Sequence, residues 1–469
     1  MQPPTPEQRN ANFLAGVIEG FYGQPWSQAE RFELFSWMSA WRLNTYLYAP
    51  KDDLKHRALW REAYLPSEAS LLGELIRVAK QHGLRFIYAL SPGLDMRFSE
   101  EAELALLRER FEQMLTLGCE HFALLFDDIP ERMRDEDRRR FGSLASAHCH
   151  VANAMFHWTR ERQTGARILF CPTPYCGRMA ERQLGGARYL DTVGRELAAD
   201  IDVFWTGPEI ISREITVAHV RELQAILRRK PLIWDNLHAN DYDGRRFYCG
   251  PYAGRPFELR AEVSGLLANP NNEFPLNYVP LRTLGEFVRC DGTWEARRAY
   301  LSAMAGWLPS FATAGPAVAL EDLVLLGDCY YLPHEEGPEA EALYASARKL
   351  FSSNPAGWGK DHAAFRQRAT RLRNVCAQLA ELRERPLFYA LSRRAWELRE
   401  EMDLMLSCVR AKEQNPAAPC PSDFHLPGTY RGGMVPRLQQ LLEQNPDGTF
   451  TPRAVKDSNH SDSGATSLI

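Results

Sequence analysis

Apolar runs of four to six residues alternate with amphipathic helical segments from residue 13 to about residue 280. The segments at 27–42, 67–82, 100–117 and 138–162 repeat apolar residues at three- and four-residue steps, which predicts helices. Strands that alternate with helices in this way predict the α/β class and a (β/α)8 TIM-like barrel. A doubly wound sheet is the alternative, but no Gly-rich phosphate turn follows the first run. The eight predicted strands are 13–18, 45–48, 85–90, 121–126, 167–171, 201–205, 231–234 and 274–279.

Beyond residue 300 the pattern changes to long helices whose Arg and Glu residues face away from a Leu-rich side, which predicts an α-helical bundle. A Pro-rich stretch, 415–421, leads to an amphipathic element at 435–444 that is too short to be stable alone and must dock on another surface. The predicted helices are 300–312, 320–329, 338–350, 363–384 and 387–409. We expect a flexible N terminus at 1–12, a barrel at 13–295, a helical domain at 296–450 and a disordered tail at 451–469.

Polar and charged residues follow most of the predicted strands. In a barrel these strand ends converge on one face, where active sites are built. The most informative pair is Asp127 and Asp128, directly after an apolar run, because a buried unpaired carboxylate costs several kcal/mol or takes up a proton. A solvated turn is the alternative, since Asp is common in turns and Pro130 follows closely. The other residues near strand ends include Gly20, Lys51, Tyr175, Asn236 and Asn277.

The segment 234–243 combines one indole, two amides and three carboxylates within ten residues. An aromatic ring packs against the C–H face of a sugar, while carboxylates and amides hydrogen-bond its hydroxyls. The segment therefore favours a polyhydroxylated ligand. Trp234 as part of the barrel core, and Asp241 as part of an Asx-rich loop, are the alternatives.

A metal-dependent barrel hydrolase would also place carboxylates and histidines at strand ends. That site needs several His ligands at separate strand ends, whereas His238 stands alone there. His121 begins its strand at the opposite face, and the histidines at 148, 150 and 157 lie within one predicted helix. We therefore expect neither a catalytic metal nor a cofactor.

The charge balance of 56 Lys and Arg against 60 Asp and Glu, a net charge of −4, argues against nucleic acid as the main partner. No stretch reaches the roughly 18 to 20 apolar residues of a membrane span, and the N terminus lacks the apolar core of a signal peptide. The ten cysteines are scattered singly, as is typical of reduced core thiols. We expect a cytoplasmic protein that does not bind membranes.

Several segments closely resemble glycoside hydrolase family 84, the protein O-GlcNAcases. The resemblance extends into the helical part and covers most of the chain, so the helical domain is expected to be stalk-like, and the animal enzyme's acetyltransferase-like domain is expected to be absent. The segments that carry the resemblance are 16–26, 44–53, 122–129, 205–208, 233–243, 330–338 and 430–433.

The resemblance implies a retaining β-N-acetylglucosaminidase that removes O-linked N-acetylglucosamine from Ser and Thr of proteins. In this mechanism the 2-acetamido oxygen of the substrate attacks the anomeric carbon and forms an oxazoline, an exception to the usual two-carboxylate mechanism. The resemblance makes Asp127 the residue that orients the acetamido N–H, and Asp128 the general acid and then the general base.

The same resemblance assigns residues to sugar binding. Gly20 would bring its backbone close to the sugar, while Lys51 and Asn277 would bind sugar hydroxyls, and Asp241 would take the 4- and 6-hydroxyls. The resemblance further implies that the acetamido pocket is formed by Tyr175, Asn236 and Trp234. An ion pair of Lys51 with Asp52 or Asp53 is the alternative for that lysine.

The animal enzymes dimerise by exchanging a stalk helix, so the resemblance predicts a homodimer in which the element at 435–444 crosses to the partner. Two alternatives for function stay open. The chain could act on free glycans or cell-wall fragments with the same chemistry, or it could be a non-catalytic glycan-binding protein. A non-catalytic glycan-binding protein is expected to lose Asp127, Asp128 or Tyr175, and all three are present.

Overall fold

A computed structural model of the chain describes residues 12–420 and 432–453. The chain divides into two compact units. The first comprises the described residues up to Ser310 together with Tyr330–Glu335. The second comprises Phe311–Cys329 and the described residues from Glu336 onward.

The first unit is built on a closed barrel of eight parallel strands, each paired with its neighbours in chain order. The barrel closes where β1 pairs with β8, with Leu14 opposite Gly265. The predicted (β/α)8 barrel is therefore confirmed. Its strands are β1 Leu14–Glu19, β2 Thr45–Tyr48, β3 Arg85–Leu90, β4 His121–Leu125, β5 Ile168–Cys171, β6 Ile201–Trp205, β7 Leu232–Asp235 and β8 Gly265–Ala268.

A buried apolar cluster contains residues from all eight of these strands. Successive side chains of a strand point to opposite faces, so alternate residues such as Leu14 and Ile18 of β1, or Leu232 and Trp234 of β7, enter the same cluster. Tyr175 and Cys176, just after β5, belong to the same cluster. The candidate residues at the strand ends thus lie next to this packed apolar cluster.

Helices follow the strands around the barrel. The first begins at a capping box, in which Ser27 accepts from the backbone N–H of Glu30 and the Glu30 side chain accepts from that of Ser27. The predicted helix at 138–162 is interrupted at Gly142, whose φ of 72° ends one helix before Ser143 caps the next. The helices of this unit are α1 Gln28–Ala40, α2 Pro66–Gln81, α3 Glu101–Thr116, α4 Asp135–Phe141, α5 Leu144–Arg162, α6 Gly177–Glu181, α7 Tyr189–Glu196, α8 Val217–Leu227, α9 Leu259–Glu262, α10 Tyr278–Arg289 and α11 Ala296–Trp307.

The prediction of the eighth strand at 274–279 is wrong. Phe274–Asn277 forms a 3-10 turn that continues into α10, with a proline at the start of the turn, where its missing N–H costs no hydrogen bond. The eighth strand is instead Gly265–Ala268. A Cβ at Gly265 would lie 2.3 Å from the backbone oxygen of Leu14, so glycine allows the close approach that closes the barrel.

The second unit is largely helical, as predicted. Its helices are α12 Leu320–Asp328, α13 Pro338–Phe351, α14 Gly359–Gln378, α15 Arg385–Gln414 and α16 Met434–Gln439. The predicted amphipathic element at 435–444 is helical only to Gln439, after which β9 Leu442–Gln444 pairs antiparallel with β10 Phe450–Pro452. Within this unit α16 packs on α13 and α15 of its own chain, and Arg437 forms a salt bridge with Glu341 at 2.5 Å.

Parts of the predicted termini lie outside the described residues. These are residues 1–11 of the predicted N-terminal segment and 454–469 of the predicted tail. Within residues 12–420 and 432–453, no helix is both long and apolar enough to cross a membrane.

Candidate active site

The carboxyl ends of five barrel strands bring most of the predicted site residues to one face of the barrel. Since strand ends of a (β/α)8 barrel meet at that face, residues far apart in sequence become neighbours. Gly20 follows β1, Lys51 lies just after β2, Asp127 and Asp128 follow β4, Tyr175 follows β5, Trp234 lies in β7, and Asn236 and Asp241 follow β7.

Asp127 is buried and paired with the ammonium group of Lys51. The Lys51 Nζ to Asp127 Oδ2 distance is 2.5 Å, and only 2% and 7% of the two side chains are exposed. Lys51 Nζ also lies 5.8 Å from the ring centroid of Trp234. The alternative pairing of Lys51 with Asp52 or Asp53 is not what the structure shows, because Asp52 accepts from the Gly23 N–H and Asp53 from tyrosine hydroxyls.

The second oxygen of Asp127 is buried, and none of the residues that the structure describes donates a hydrogen bond to it. Burial by itself would raise the pKa of Asp127, but the charge of Lys51 and the hydrogen bond from its ammonium group outweigh burial and lower that pKa. Asp127 is therefore an ionised carboxylate with one buried acceptor left open. Such an acceptor is costly unless a donor reaches it, as the N–H of a ligand would.

Asp128 lies next to Asp127 in the sequence, but its surroundings are different. Its backbone adopts a φ of 48°, and the residue is exposed. Asp128 Oδ1 accepts a hydrogen bond of 2.9 Å from the Tyr175 hydroxyl, and Oδ2 accepts one of 3.0 Å from the Tyr22 hydroxyl. The adjacent carboxylates are thus split between a buried ion pair and an accessible carboxylate held by two phenols.

Trp234 and its neighbours form a wall beside these carboxylates. Trp234 is 5% exposed, and its indole N–H donates to Asn236 Oδ1 at 3.0 Å. A Cβ at Gly20 would lie 2.5 Å from Trp234 Cζ2, so only glycine fits between the first strand end and the indole. The Asn236 side-chain amide donates to the Ile210 carbonyl at 2.8 Å, which fixes the orientation of that side chain.

Asp241 is connected to the same face through the main chain of Tyr22. The Tyr22 N–H donates to Asp241 Oδ2 at 3.0 Å. Burial raises the pKa of Asp241, while the hydrogen bond from the Tyr22 N–H acts in the opposite direction. Tyr22 therefore contacts both Asp128, through its hydroxyl, and Asp241, through its backbone.

Asn277 does not lie at a strand end, because the eighth strand is Gly265–Ala268. Its side chain is fully buried; Oδ1 accepts from the backbone and side chain of Asn271, and Nδ2 donates to the carbonyls of Asn271 and Glu273. These bonds hold the loop that follows β8. The sugar-binding role predicted for Asn277 stays a prediction.

Asn269, which sequence reasoning missed, is the residue that follows β8. Its Nδ2 donates to Asn236 Oδ1 at 3.0 Å, and its own Oδ1 is buried with no hydrogen-bond partner within residues 12–420 and 432–453. An open amide oxygen beside Asn236 can accept from a ligand hydroxyl. The sequence signal was the Asn after the apolar run Gly-Leu-Leu-Ala, which is visible only once that run is recognised as the strand.

This arrangement suits proton transfer at a sugar. It offers one ionised carboxylate with an open acceptor, one accessible carboxylate, an indole wall and several amide groups, all on one face of the barrel. In the described part of the chain, no group of three or more His, Cys, Asp and Glu residues is placed to hold a metal ion.

Comparison with known proteins finds a matching family and similar proteins. The family model described as NAGidase, beta-N-acetylglucosaminidase, matches residues 15–317. The protein O-GlcNAcases of Rattus norvegicus and Mus musculus are each 47% identical to this chain over 277 residues, which are 59% of this chain and 30% of each relative. The match thus spans less than a third of the length of these relatives.

A solved structure shares the fold over most of the chain. A mutant of the Thermobaculum terrenum O-GlcNAc hydrolase matches with a TM-score of 0.76 and 29% identity, over 86% of this chain and 85% of that one. The family model spans more than half of the 469 residues and contains every strand of the barrel except the first residue of β1. The chain therefore belongs to the β-N-acetylglucosaminidase family of glycoside hydrolases.

Proposed function

We propose that the chain is a retaining exo-β-N-acetylglucosaminidase that removes O-linked N-acetylglucosamine from Ser and Thr of proteins. The observation that carries the proposal is the buried, ionised Asp127 with an open Oδ1 beside the accessible Asp128. Lys51 lowers the pKa of Asp127 and keeps it ionised. Such a carboxylate is suited to accept a hydrogen bond from an N–H and to stabilise positive charge. The similarity to the protein O-GlcNAcases of Rattus norvegicus and Mus musculus supports the substrate class.

In the proposed mechanism the acetamido group of the substrate is the nucleophile. Asp127 accepts the acetamido N–H, which makes the carbonyl oxygen more nucleophilic and stabilises the charge that develops on nitrogen. That oxygen attacks the anomeric carbon as the bond to the Ser or Thr oxygen breaks, and Asp128 gives its proton to the leaving oxygen. Asp127 takes the proton of the acetamido nitrogen as the neutral oxazoline forms. Water then opens the oxazoline by attack at the anomeric carbon, while Asp128 takes a proton from that water and Asp127 returns its proton to the nitrogen, so the anomeric configuration is retained.

The remaining side chains position the sugar. We assign the acetamido pocket to Tyr175, Asn236 and Trp234, and the sugar hydroxyls to Asp241 and to the open oxygen of Asn269. Gly20 leaves room for the indole and the sugar together. We assign two roles to Lys51. It contacts a sugar hydroxyl, and its ion pair with Asp127 supports a role in keeping that carboxylate ionised.

The test compares hydrolysis of an aryl β-N-acetylglucosaminide by the protein and by Asp127→Asn. Substrates carrying one, two or three fluorines on the acetamido methyl group are measured in the same assay, because fluorine withdraws electrons from the nucleophilic oxygen. We expect kcat/KM to fall with each fluorine, and the matched glucoside to be inert. A rate that does not depend on fluorination, with cleavage of the glucoside, would contradict acetamido participation.

We further propose a cytoplasmic homodimer whose partners are glycosylated proteins. Ten free cysteines, all but one of them buried, fit a reducing compartment. The short helix α16 buries Met434, Val435 and Leu438, so it needs a surface to dock on, which its own bundle or that of a second copy can supply. Light scattering at micromolar concentration tests the dimer, and a monomeric mass would contradict it.

A further inference from the structure

The hydroxyl of Tyr22 lies between a guanidinium group and a carboxylate. Arg57 Nη1 donates to the Tyr22 hydroxyl oxygen at 2.7 Å, and that hydroxyl donates to Asp128 Oδ2 at 3.0 Å. Arg57 Nη2 donates to the main-chain oxygen of Asp128 at 2.6 Å. The two arms of one guanidinium thus hold both the backbone of Asp128 and the phenol that contacts its side chain.

This chain of hydrogen bonds has a direction. A guanidinium group has only donors, so the Tyr22 oxygen must accept from Arg57. A hydroxyl that accepts from a cation becomes a poorer acceptor and a stronger donor, because hydrogen bonds in a chain polarise one another. The Tyr22 proton is therefore directed at Asp128 Oδ2, which is kept as an acceptor.

We propose that Arg57 and Tyr22 select the oxygen of Asp128 that carries the transferable proton. With Oδ2 occupied by the Tyr22 hydroxyl, the proton of the acid form resides on Oδ1. This inference rests on the proposed function, in which Asp128 is the general acid. The proton leaves Oδ1 for the glycosidic oxygen as the C–O bond breaks, and Oδ1 takes a proton back from the water that opens the oxazoline.

The partner of Oδ1 differs from that of Oδ2 in a way that fits this division. Tyr175 donates to Oδ1 at 2.9 Å, but none of the described contacts of its hydroxyl involves a guanidinium group. A phenol without such a fixed donor can turn its proton elsewhere, including toward a bound acetamido group. Oδ1 can therefore be released for proton transfer while Oδ2 stays held.

The backbone of Tyr22 is fixed independently of its hydroxyl. Its N–H donates to Asp241 Oδ2 at 3.0 Å, and its carbonyl accepts from Asn272 Nδ2 at 2.6 Å. The substitution Tyr22→Phe therefore removes the hydroxyl while leaving the contact to Asp241. Tyr22 and Arg57 are positioning residues in this scheme, because they act through Asp128.

The experiment measures kcat and KM for a series of aryl β-N-acetylglucosaminides whose leaving phenols range from basic to strongly acidic. Only the poor leaving groups need a well-placed acid. For Tyr22→Phe we expect kcat/KM to fall about tenfold for the phenyl substrate, in line with loss of one hydrogen bond to a charged group, and to stay nearly unchanged for the 2,4-dinitrophenyl substrate. Arg57→Met should show the same selective loss, and Arg57→Lys should partly restore it.

Two further variants make the outcome decisive. Tyr242→Phe is the matched control, because this half-exposed tyrosine bonds to the Tyr248 hydroxyl and leaves Asp128 untouched; its leaving-group dependence should equal that of the unmodified protein. Asp128→Asn reports on the proposed acid itself. An equal loss for all leaving groups in Tyr22→Phe, or no loss, overturns the inference. If Asp128→Asn also loses activity equally for all leaving groups, the general-acid assignment fails instead.

Discussion

The buried pair of Lys51 and Asp127 makes a quantitative prediction about Lys51→Met. This substitution keeps much of the side-chain volume and removes the ammonium group that lies 2.5 Å from Asp127 Oδ2. Removing one partner of a buried ion pair typically costs about 3–5 kcal/mol, because the other charge is left uncompensated. With 2% and 7% of the side chains exposed, water cannot replace the lost partner, so we expect a loss of stability in this range.

The loss should depend on pH in a defined direction. In the intact protein the pKa of Asp127 is lowered, so the pair contributes stability above the unfolded pKa of an Asp, and this contribution is lost as pH falls through the folded pKa. In Lys51→Met, burial acts alone and raises the pKa of Asp127. The destabilisation should therefore be largest near neutral pH and shrink as acid protonates the carboxylate. The acid limb of the kcat/KM profile should move to higher pH, since the proposed mechanism needs Asp127 ionised.

Urea unfolding monitored by tryptophan fluorescence, at pH 7 and at acidic pH, measures these effects together with pH-rate profiles. Asp127→Asn and the double variant complete a mutant cycle. We expect the double variant to be several kcal/mol more stable than the sum of the single losses predicts, because it leaves no unpaired buried charge. A Lys51→Met protein with an unchanged urea midpoint at pH 7 and an unchanged acid limb would refute the reasoning.

Three other predictions concern the wall of the site and its loops. Gly20→Ala should lower kcat/KM at least tenfold, since a Cβ placed 2.5 Å from Trp234 Cζ2 must displace the indole; near-normal kinetics would contradict this. Asn269→Ala should reduce kcat/KM with little change in urea midpoint. Asn277→Ala should instead lower the free energy of unfolding by about 1–3 kcal/mol. The reverse pattern would exchange the roles of the two residues. Asp241→Asn should raise the urea midpoint at pH 7, because burial raises the pKa of this carboxyl and penalises its charge. This gain in midpoint should vanish as pH falls below the pKa of the carboxyl in the unfolded chain. A midpoint difference that does not depend on pH would contradict this prediction.

Much of the fold could be predicted from local sequence patterns. The wrong prediction of the eighth strand has a physical cause. Seven of the strands carry aromatic or β-branched residues in short apolar runs, which is a strong strand signal. Gly265–Ala268 lacks both residue types, and its glycine is explained only by the close approach of Leu14. The aromatic and apolar run that begins at Phe274 looked more like a strand, although its prolines favour helix starts.

The sequence predicted which residues lie near the strand ends, but not the contacts among them. Strand exits identified the adjacent carboxylates and the lysine, because the barrel brings all of these ends together. The pairing of Lys51 with Asp127 depends on how two strand ends meet in space, and nothing near either residue in the sequence indicates it. The same holds for Tyr22, which contacts Asp128 from the loop after β1.

The left-handed backbone of Asp128 bears on how an inactive, ligand-binding form of the proposed enzyme is best built. A φ of 48° costs most L-residues about 1–2 kcal/mol, whereas Asp and Asn adopt it more readily. Asp128→Asn keeps both the backbone preference and a side chain of the same shape, while Asp128→Ala adds strain and removes the side-chain acceptor of two phenol hydroxyls. A variant intended to hold the proposed substrate without cleaving it should therefore carry asparagine at position 128.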